Sequence, residues 1–179
     1  MRDATDAPRP TRVLLLGMMG SGKSSVGRAL AERTGWPFID NDALVERATG
    51  LTARELLRSR GEAAMREAES EALRAGLGIP APAIVATAAG TILRQEDRGR
   101  IDDGGLVVWL HAPAEVLAAR AAGATHRPWL DDDPIAWFRR TIAERGALYR
   151  AVSDVAIDTG STDPDAAAER VLERLAADH

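Results

Sequence analysis

The chain has no cysteine, few aromatic residues and no basic surplus, and each shortage removes a class of function. Without cysteine there are no disulfides, no thiolate metal centres and no cysteine nucleophile. Aromatic residues supply only 4% of the sequence, and Trp36, Trp109 and Trp137 read as packing rather than as stacking surfaces for a ligand. The 23 lysines and arginines are outnumbered by 27 aspartates and glutamates, for a net charge of −4. A broad nucleic-acid-binding face needs a dense basic surface, so any anion site here must be local. No apolar stretch approaches membrane-spanning length, and Met1 to Pro10 lack the apolar centre of a signal peptide. A cytoplasmic protein with no membrane partner is expected, with residues 1–11 as a loose tail. His111, His126 and His179 show no metal-ligand spacing. What remains is a soluble composition, 45% hydrophobic and 28% charged over 179 residues, the size of one domain.

What is present is a phosphate loop in its full context. Gly17-Met18-Met19-Gly20-Ser21-Gly22-Lys23-Ser24 follows the apolar run Arg12-Val13-Leu14-Leu15-Leu16, and Ser24 to Arg33 reads as a helix with Val26, Leu30 and Ala31 on one side. A strand, a glycine-rich turn and a helix N-terminus gather backbone N–H groups and the positive end of a helix dipole around one anion. Lys23 is expected to reach the β and γ phosphates of a nucleoside triphosphate, with the Ser24 hydroxyl on magnesium.

Further along, Gly35 stops the first helix and Pro37-Phe38-Ile39 predicts a short strand ending at the acids Asp40 and Asp42. A helix is expected from about Ala43 to Ala48, ended by Gly50. Thr52 to Glu55 forms a capping box for the next, Gly61-Glu62 breaks it, and another helix runs from about Glu62 to Ala75. Ala83 to Thr87 predicts a third strand, emptying into Ala88-Ala89-Gly90, and Leu106 to Leu110 a fourth, with Pro113 in the first turn of the helix after it. Between Gly123 and Asp133 the pattern fails, which predicts a movable loop. A helix from about Pro134 to Tyr149, a strand Val155 to Ile157 and a helix marked by Asp163-Pro164 complete the chain. Strands alternating with helices, and apolar throughout, predict an α/β fold with a parallel sheet covered on both faces. Ligands in such sheets bind beyond the strands' C-terminal ends. The phosphate loop, Asp40, Asp42 and Ala88 to Gly90 should therefore converge on one cleft.

Several classes use a phosphate loop. A GTPase needs a base-reading N-K-x-D, which is absent, and Asp102-Asp103-Gly104-Gly105 precedes a strand instead of following one. An ATPase motor places an acid directly after a long apolar strand, and the strands ending at Thr87 and Leu110 carry none. Asp40 is left as the magnesium carboxylate, acting through water. Gly17 to Gly27, Phe38 to Asp42, Thr49-Gly50, Gly61-Glu62, Arg66 with Glu69, Arg127-Pro128, and Glu144-Arg145 through Leu148-Tyr149 resemble shikimate kinase in order and spacing, from about residue 12 onward.

That resemblance implies a three-layer α/β/α P-loop kinase fold, five parallel strands in the order 2-3-1-4-5 with a lid at about 123–133, in one monomeric domain. It implies phosphorylation of the 3-hydroxyl of shikimate by ATP with Mg2+. By position, Gly17, Gly20, Ser21, Gly22, Lys23, Ser24 and Ser25 would bind ATP, with Arg120 against adenine and Arg127 as the lid arginine. Asp42 resembles the acid that holds the acceptor hydroxyls and takes a proton, Arg66 and Arg145 the pair that grips the carboxylate, and Ala88, Ala89 and Gly90 the acceptor loop. A planar guanidinium suits a carboxylate because it donates two parallel hydrogen bonds. Taken singly, Arg66 reads as a surface or ion-pair residue, Asp42 as a helix N-cap, and Asp131 to Asp133 as a solvated lid end and cap.

The family carries three glycines where this chain has Ala88-Ala89-Gly90, and Trp129 stands where it usually has leucine. The alanines keep the backbone N–H but lose access to positive φ. A left-handed alanine is expected to cost about 1–2 kcal/mol, roughly tenfold in rate if it falls on the transition state. Two alternatives therefore stand beside a shikimate kinase. One is a related kinase for another hydroxylated acid or cyclitol; the other is a nucleotide-binding protein with little catalysis.

Overall fold

The structure, a computed structural model, describes residues 12–122 and 133–177. The strands are β1 (Arg12–Leu16), β2 (Phe38–Asp40), β3 (Ala83–Ala86), β4 (Leu106–His111) and β5 (Val155–Asp158). The helices are α1 (Lys23–Thr34), α2 (Asn41–Thr49), α3 (Ala53–Leu77), α4 (Gln95–Asp102), α5 (Ala114–Ala121), α6 (Pro134–Val152) and α7 (Pro164–Ala177). All strand pairs are parallel, in the order β2-β3-β1-β4-β5 that the family resemblance implies.

Because successive strand residues face opposite sides, β1 feeds two cores. Leu14 and Leu16 pack with Leu73 of α3, Leu117 of α5 and Phe138 of α6. Val13 and Leu15 pack on the other face with Val26 and Leu30 of α1 and Val171 of α7. The three-layer α/β/α arrangement follows. Its consequence for function is geometric: every strand ends on the same side, so the segments after β1, β2, β3 and β5 meet there.

Local signals act as read at several points. Gly35 and Gly50 end α1 and α2 in the left-handed conformation. Thr52 and Glu55 form the expected capping box, and Gly61, at φ 81° and ψ 174°, interrupts α3 where a break is predicted. Asp133 caps α6 by accepting from the Ala136 N–H at 3.0 Å.

Three expectations need correction. The sequence gives no hint of the 3₁₀ turn at Thr91–Leu93 or of α4, whose residues are so polar that only Asp97 and Ile101 are buried. No apolar stripe exists there to be read. The strands are not apolar throughout, because β5 pairs on one side only and exposes Ala156 and Asp158. Pro113 is the cap of α5 instead of lying in its first turn. Among the described residues, no helix is long and apolar enough to cross a membrane. The expected tail and the lid segment from 123 to 132, with His126, Arg127, Pro128, Trp129, Asp131 and Asp132, lie outside the described residues, as does His179.

Candidate active site

The loop between β1 and α1 is shaped by glycine. Gly17 sits at φ 144°, and a Cβ there would lie 2.2 Å from the Leu110 carbonyl oxygen, so only glycine lets the chain turn this close to β4. Gly22 then caps α1 from a left-handed conformation, which puts Lys23 and Ser24 in the first helical turn beside free backbone N–H groups. Lys23 Nζ donates to the carbonyls of Gly17 at 2.8 Å and Met18 at 3.0 Å. Burial pushes its pKa below the ordinary value, against the opposing pull of Asp42, Asp40 and Glu69.

Two acids face this lysine from the start of α2. Asp40 accepts from the Ser24 hydroxyl at 2.8 Å and caps α2 through the Asp42 N–H at 3.1 Å. The cap is therefore Asp40, and the competing reading of Asp42 as N-cap is corrected: Asp42 lies one residue inside the helix, its carboxyl free for the cleft. Asp42 keeps surface open to the cleft while protein walls it elsewhere. That surrounding raises its pKa above 3.8, Asp40 adds to the rise, and Lys23 opposes it.

On the far side, α3 and α6 supply the arginines. Arg66 pairs with Glu69 at 2.9 Å and Glu62 at 3.2 Å, and its side chain is only 13% exposed. Burial raises the Glu69 carboxyl, and Arg66 pulls it back. The ion pair fills the space over Gly90, where a Cβ would meet Arg66 Nη1 at 1.8 Å and Glu69 Oε2 at 2.2 Å. Arg145 Nη1 donates to the Ala89 carbonyl at 3.3 Å, and Tyr149 Oη donates to the same oxygen at 2.9 Å.

The strain expected of the acceptor loop does not arise. Among the described residues no non-glycine residue has positive φ, and Gly90 itself is right-handed at φ −87° and ψ −18°. Both alanines occupy ordinary backbone, so the left-handed penalty is absent. Ala88 is moreover 3% exposed and sits behind the cleft wall, leaving Ala89 and Gly90 as the loop's cleft surface.

At the other end, Arg120 of α5 donates to the Thr159 carbonyl at 2.7 Å and the Gly20 carbonyl at 3.3 Å. The Thr159 hydroxyl lies 2.9 Å from the Ser21 carbonyl and 3.1 Å from that of His111, its possible acceptors. The segment after β5 is thereby tied to the phosphate loop, and Thr162 and Pro164 line the same end.

All of this opens into one cleft of about 1260 Å³. Single-ligand pockets run to roughly 1,000 Å³, so there is room for a nucleotide beside a second molecule. Gly20, Gly22, Lys23, Ser24, Ser25, Asp40, Asp42, Arg66, Ala89, Gly90, Arg120 and Arg145 line it, whereas Gly17 and Ser21 lie beneath its surface. Residues not anticipated are Trp137, Arg140 and Thr141 of α6, and Thr159, Thr162 and Pro164 after β5. Both groups had a signal. With Glu144 and Arg145, the α6 residues recur at three- and four-residue spacing, and the others follow a strand's C-terminal end. Among the described residues no group of three or more His, Cys, Asp or Glu side chains could hold a metal ion by itself.

The family model for shikimate kinase matches residues 19–176. The chain belongs to the shikimate kinase family. It is therefore an ATP-dependent kinase, a transferase. The shikimate kinase of Halorhodospira halophila is 38% identical over 167 residues, 93% of this chain and 94% of that one. That of Symbiobacterium thermophilum is 38% identical over 167 residues, covering 91% and 95%. Among solved structures, shikimate kinase from Acinetobacter baumannii in complex with shikimate aligns with a TM-score of 0.89 at 31% identity over 94% of each chain. The Aquifex aeolicus enzyme gives a TM-score of 0.80 at 28% identity, over 93% of this chain and 97% of that one.

Proposed function

We propose that this chain transfers the γ-phosphoryl group of ATP to the 3-hydroxyl of shikimate. The observation that carries the reading is the sharing of one cleft by two halves. Lys23 and the N-terminus of α1 form an anion cradle, and Asp42, Arg66 and Arg145 form a set suited to a hydroxylated acid.

In this reading the phosphate-loop N–H groups and Lys23 hold the β and γ phosphates, and Arg120 lies against adenine with Thr162 and Pro164 at the same end. Ser24 and Asp40, hard oxygen donors 2.8 Å apart, suit Mg2+ with the phosphates and water completing its shell. Bound there, the ion would neutralise charge on the phosphate oxygens. Arg66 and Arg145 hold the substrate carboxylate, and the N–H groups of Ala89 and Gly90 meet its hydroxyls. The acceptor oxygen forms its bond to the γ-phosphorus as the bond to the β–γ bridging oxygen breaks. ADP leaves with that electron pair, and the hydroxyl proton passes to Asp42. The raised pKa of Asp42 makes it a better proton acceptor than an ordinary aspartate. Phosphoryl transfer depends mostly on positioning and charge stabilisation, which Lys23 and the arginines provide.

Arg127, outside the described residues, enters as the lid arginine on the sequence resemblance alone, and a lid over about 123–133 would keep water from the γ-phosphate. The chain is read as a single monomeric kinase domain acting in the cytoplasm. Ordinary backbone at Ala88 and Ala89 removes the conformational objection to shikimate as the acceptor. The test is ADP release with ATP, magnesium and shikimate, run beside a panel of related acids and cyclitols. Turnover of another acceptor but not shikimate would replace the substrate, and silence on all of them despite tight ATP binding would favour a nucleotide-binding role.

A further inference from the structure

Tyr149 is the one phenol of the chain and is almost fully buried, at 2% exposure. Its ring stacks on Trp109 of β4, centroids 5.9 Å apart and planes 12° apart, and Trp109 in turn lies under Arg150 at 5.5 Å. The phenol is therefore anchored to the sheet, and its hydroxyl donates to the Ala89 carbonyl at 2.9 Å. Arg145 is four residues earlier on the same face of α6 and reaches the same oxygen at a longer 3.3 Å. The Arg145 Nε is buried with no hydrogen-bond partner among the described residues.

Two consequences follow from peptide geometry. The carbonyl of Ala89 and the N–H of Gly90 belong to one planar trans peptide and point in opposite directions, so fixing one aims the other. Among the described residues neither the Ala89 N–H nor the Gly90 N–H has an acceptor, so both are available to a ligand. A buried carbonyl also needs a donor. While Tyr149 supplies the shorter bond, Arg145 is only loosely engaged and its remaining donors can serve a substrate carboxylate.

We propose that Tyr149 is a positioning residue for the acceptor: by holding the Ala89 carbonyl it aims the Gly90 N–H and keeps the Arg145 guanidinium available to the substrate. This rests on reading the cleft as a shikimate-phosphorylating site. Burial drives the Tyr149 pKa far above its ordinary 10.0, so the group stays a donor throughout the working range. Among the described residues its hydrogen bond and ring contact go to Ala89 and Trp109, outside the ATP half, which makes the expected effect one-sided.

The test is Tyr149→Phe in the full chain, which keeps the ring and its stacking. Steady-state kinetics are measured with shikimate varied and with ATP varied, alongside the wild type. The KM for shikimate should rise roughly fivefold to tenfold, with that for ATP within about twofold. A purely structural role would not separate the two. Circular dichroism checks that Tyr149→Phe is folded, and combining it with Arg145→Lys should raise the shikimate KM by less than the product of the single effects, because both side chains act on one carbonyl. A shikimate KM unchanged in Tyr149→Phe, an equal rise for both substrates, or strictly multiplicative effects would overturn the proposal. A wild type that releases no ADP with shikimate would overturn the substrate reading itself, and this role with it; that result is distinguishable because it appears before any substitution.

Discussion

Replacing Gly90 by alanine isolates the acceptor-side clamp from everything else in the cleft. The backbone at φ −87° and ψ −18° is ordinary for alanine, so the substitution adds no conformational strain. Its effect is steric. The new methyl would lie 1.8 Å from Arg66 Nη1, 2.2 Å from Glu69 Oε2 and 2.8 Å from Arg66 Cζ, and ordinary contact begins at 3.4 Å. The guanidinium must therefore retreat by more than an ångström from a position held by Glu69 at 2.9 Å and Glu62 at 3.2 Å. A hydrogen bond to a charged group is worth about 1.5–3 kcal/mol, so losing one such contact to the substrate carboxylate should raise the shikimate KM roughly 10- to 150-fold. The KM for ATP should stay near wild type, since the clash lies on the acceptor side. Overpacking costs about 1–3 kcal/mol of stability, some 2–4 °C in Tm for each, and calorimetry measures it separately. Coupled ADP-release kinetics with each substrate varied in turn provide the assay. A shikimate KM within about twofold of wild type would refute the reasoning, because it would mean that the Arg66–Glu69 pair can leave its place without affecting the acceptor.

Further outcomes follow from the same geometry. In the proposed role Asp42 must be ionised to accept a proton, and its pKa is raised, so kcat/KM for shikimate should fall on the acid side with a midpoint above 3.8. Asp42→Asn should remove that limb together with most of the activity; a limb that survives would assign it to another group. Lys23 is the only lysine in the chain. Lys23→Ala should reduce transfer below detection with the fold intact by circular dichroism, and an amine-directed reagent should inactivate the enzyme in step with loss of that one lysine, with ATP protecting. Changing Ala88 and Ala89 together to glycine should not raise shikimate turnover, because neither alanine is strained. The added backbone freedom should instead cost about 0.4–1 kcal/mol per site, visible as a lower Tm; a severalfold gain in kcat/KM would show that the methyls obstruct the substrate.

Much of the fold was legible because its signals are local. Apolar runs gave the central strands, and Gly35, Gly50 and Gly61 gave the breaks in the helices that follow them. The donor half was legible for the same reason, since the phosphate loop is contiguous and its chemistry is carried by backbone. What the sequence concealed depends on partners distant in the chain. Asp40 and Asp42 both suit a cap, and only the structure, which bonds Asp40 to Ser24 and to the Asp42 N–H, separates their roles. Helix α4 was missed because its burial rests on Asp97 and Ile101 alone. The family's glycines are no guide to the alanine loop, because φ is set by the turn the chain makes after β3, and that turn is right-handed at Gly90. The convergence of Tyr149 and Arg145 on one carbonyl spans about 60 residues of sequence, as the separations of 60 and 56 show. No periodicity encodes that.

In the proposed reaction one cleft joins ATP to shikimate. Its most direct test is phosphorus NMR of the products formed by the purified chain with ATP, magnesium and shikimate. A new phosphomonoester on the 3-hydroxyl of shikimate should appear in equal amount with ADP, and none when shikimate is omitted. ADP accompanied by inorganic phosphate, or no shikimate-dependent signal at all, would contradict it.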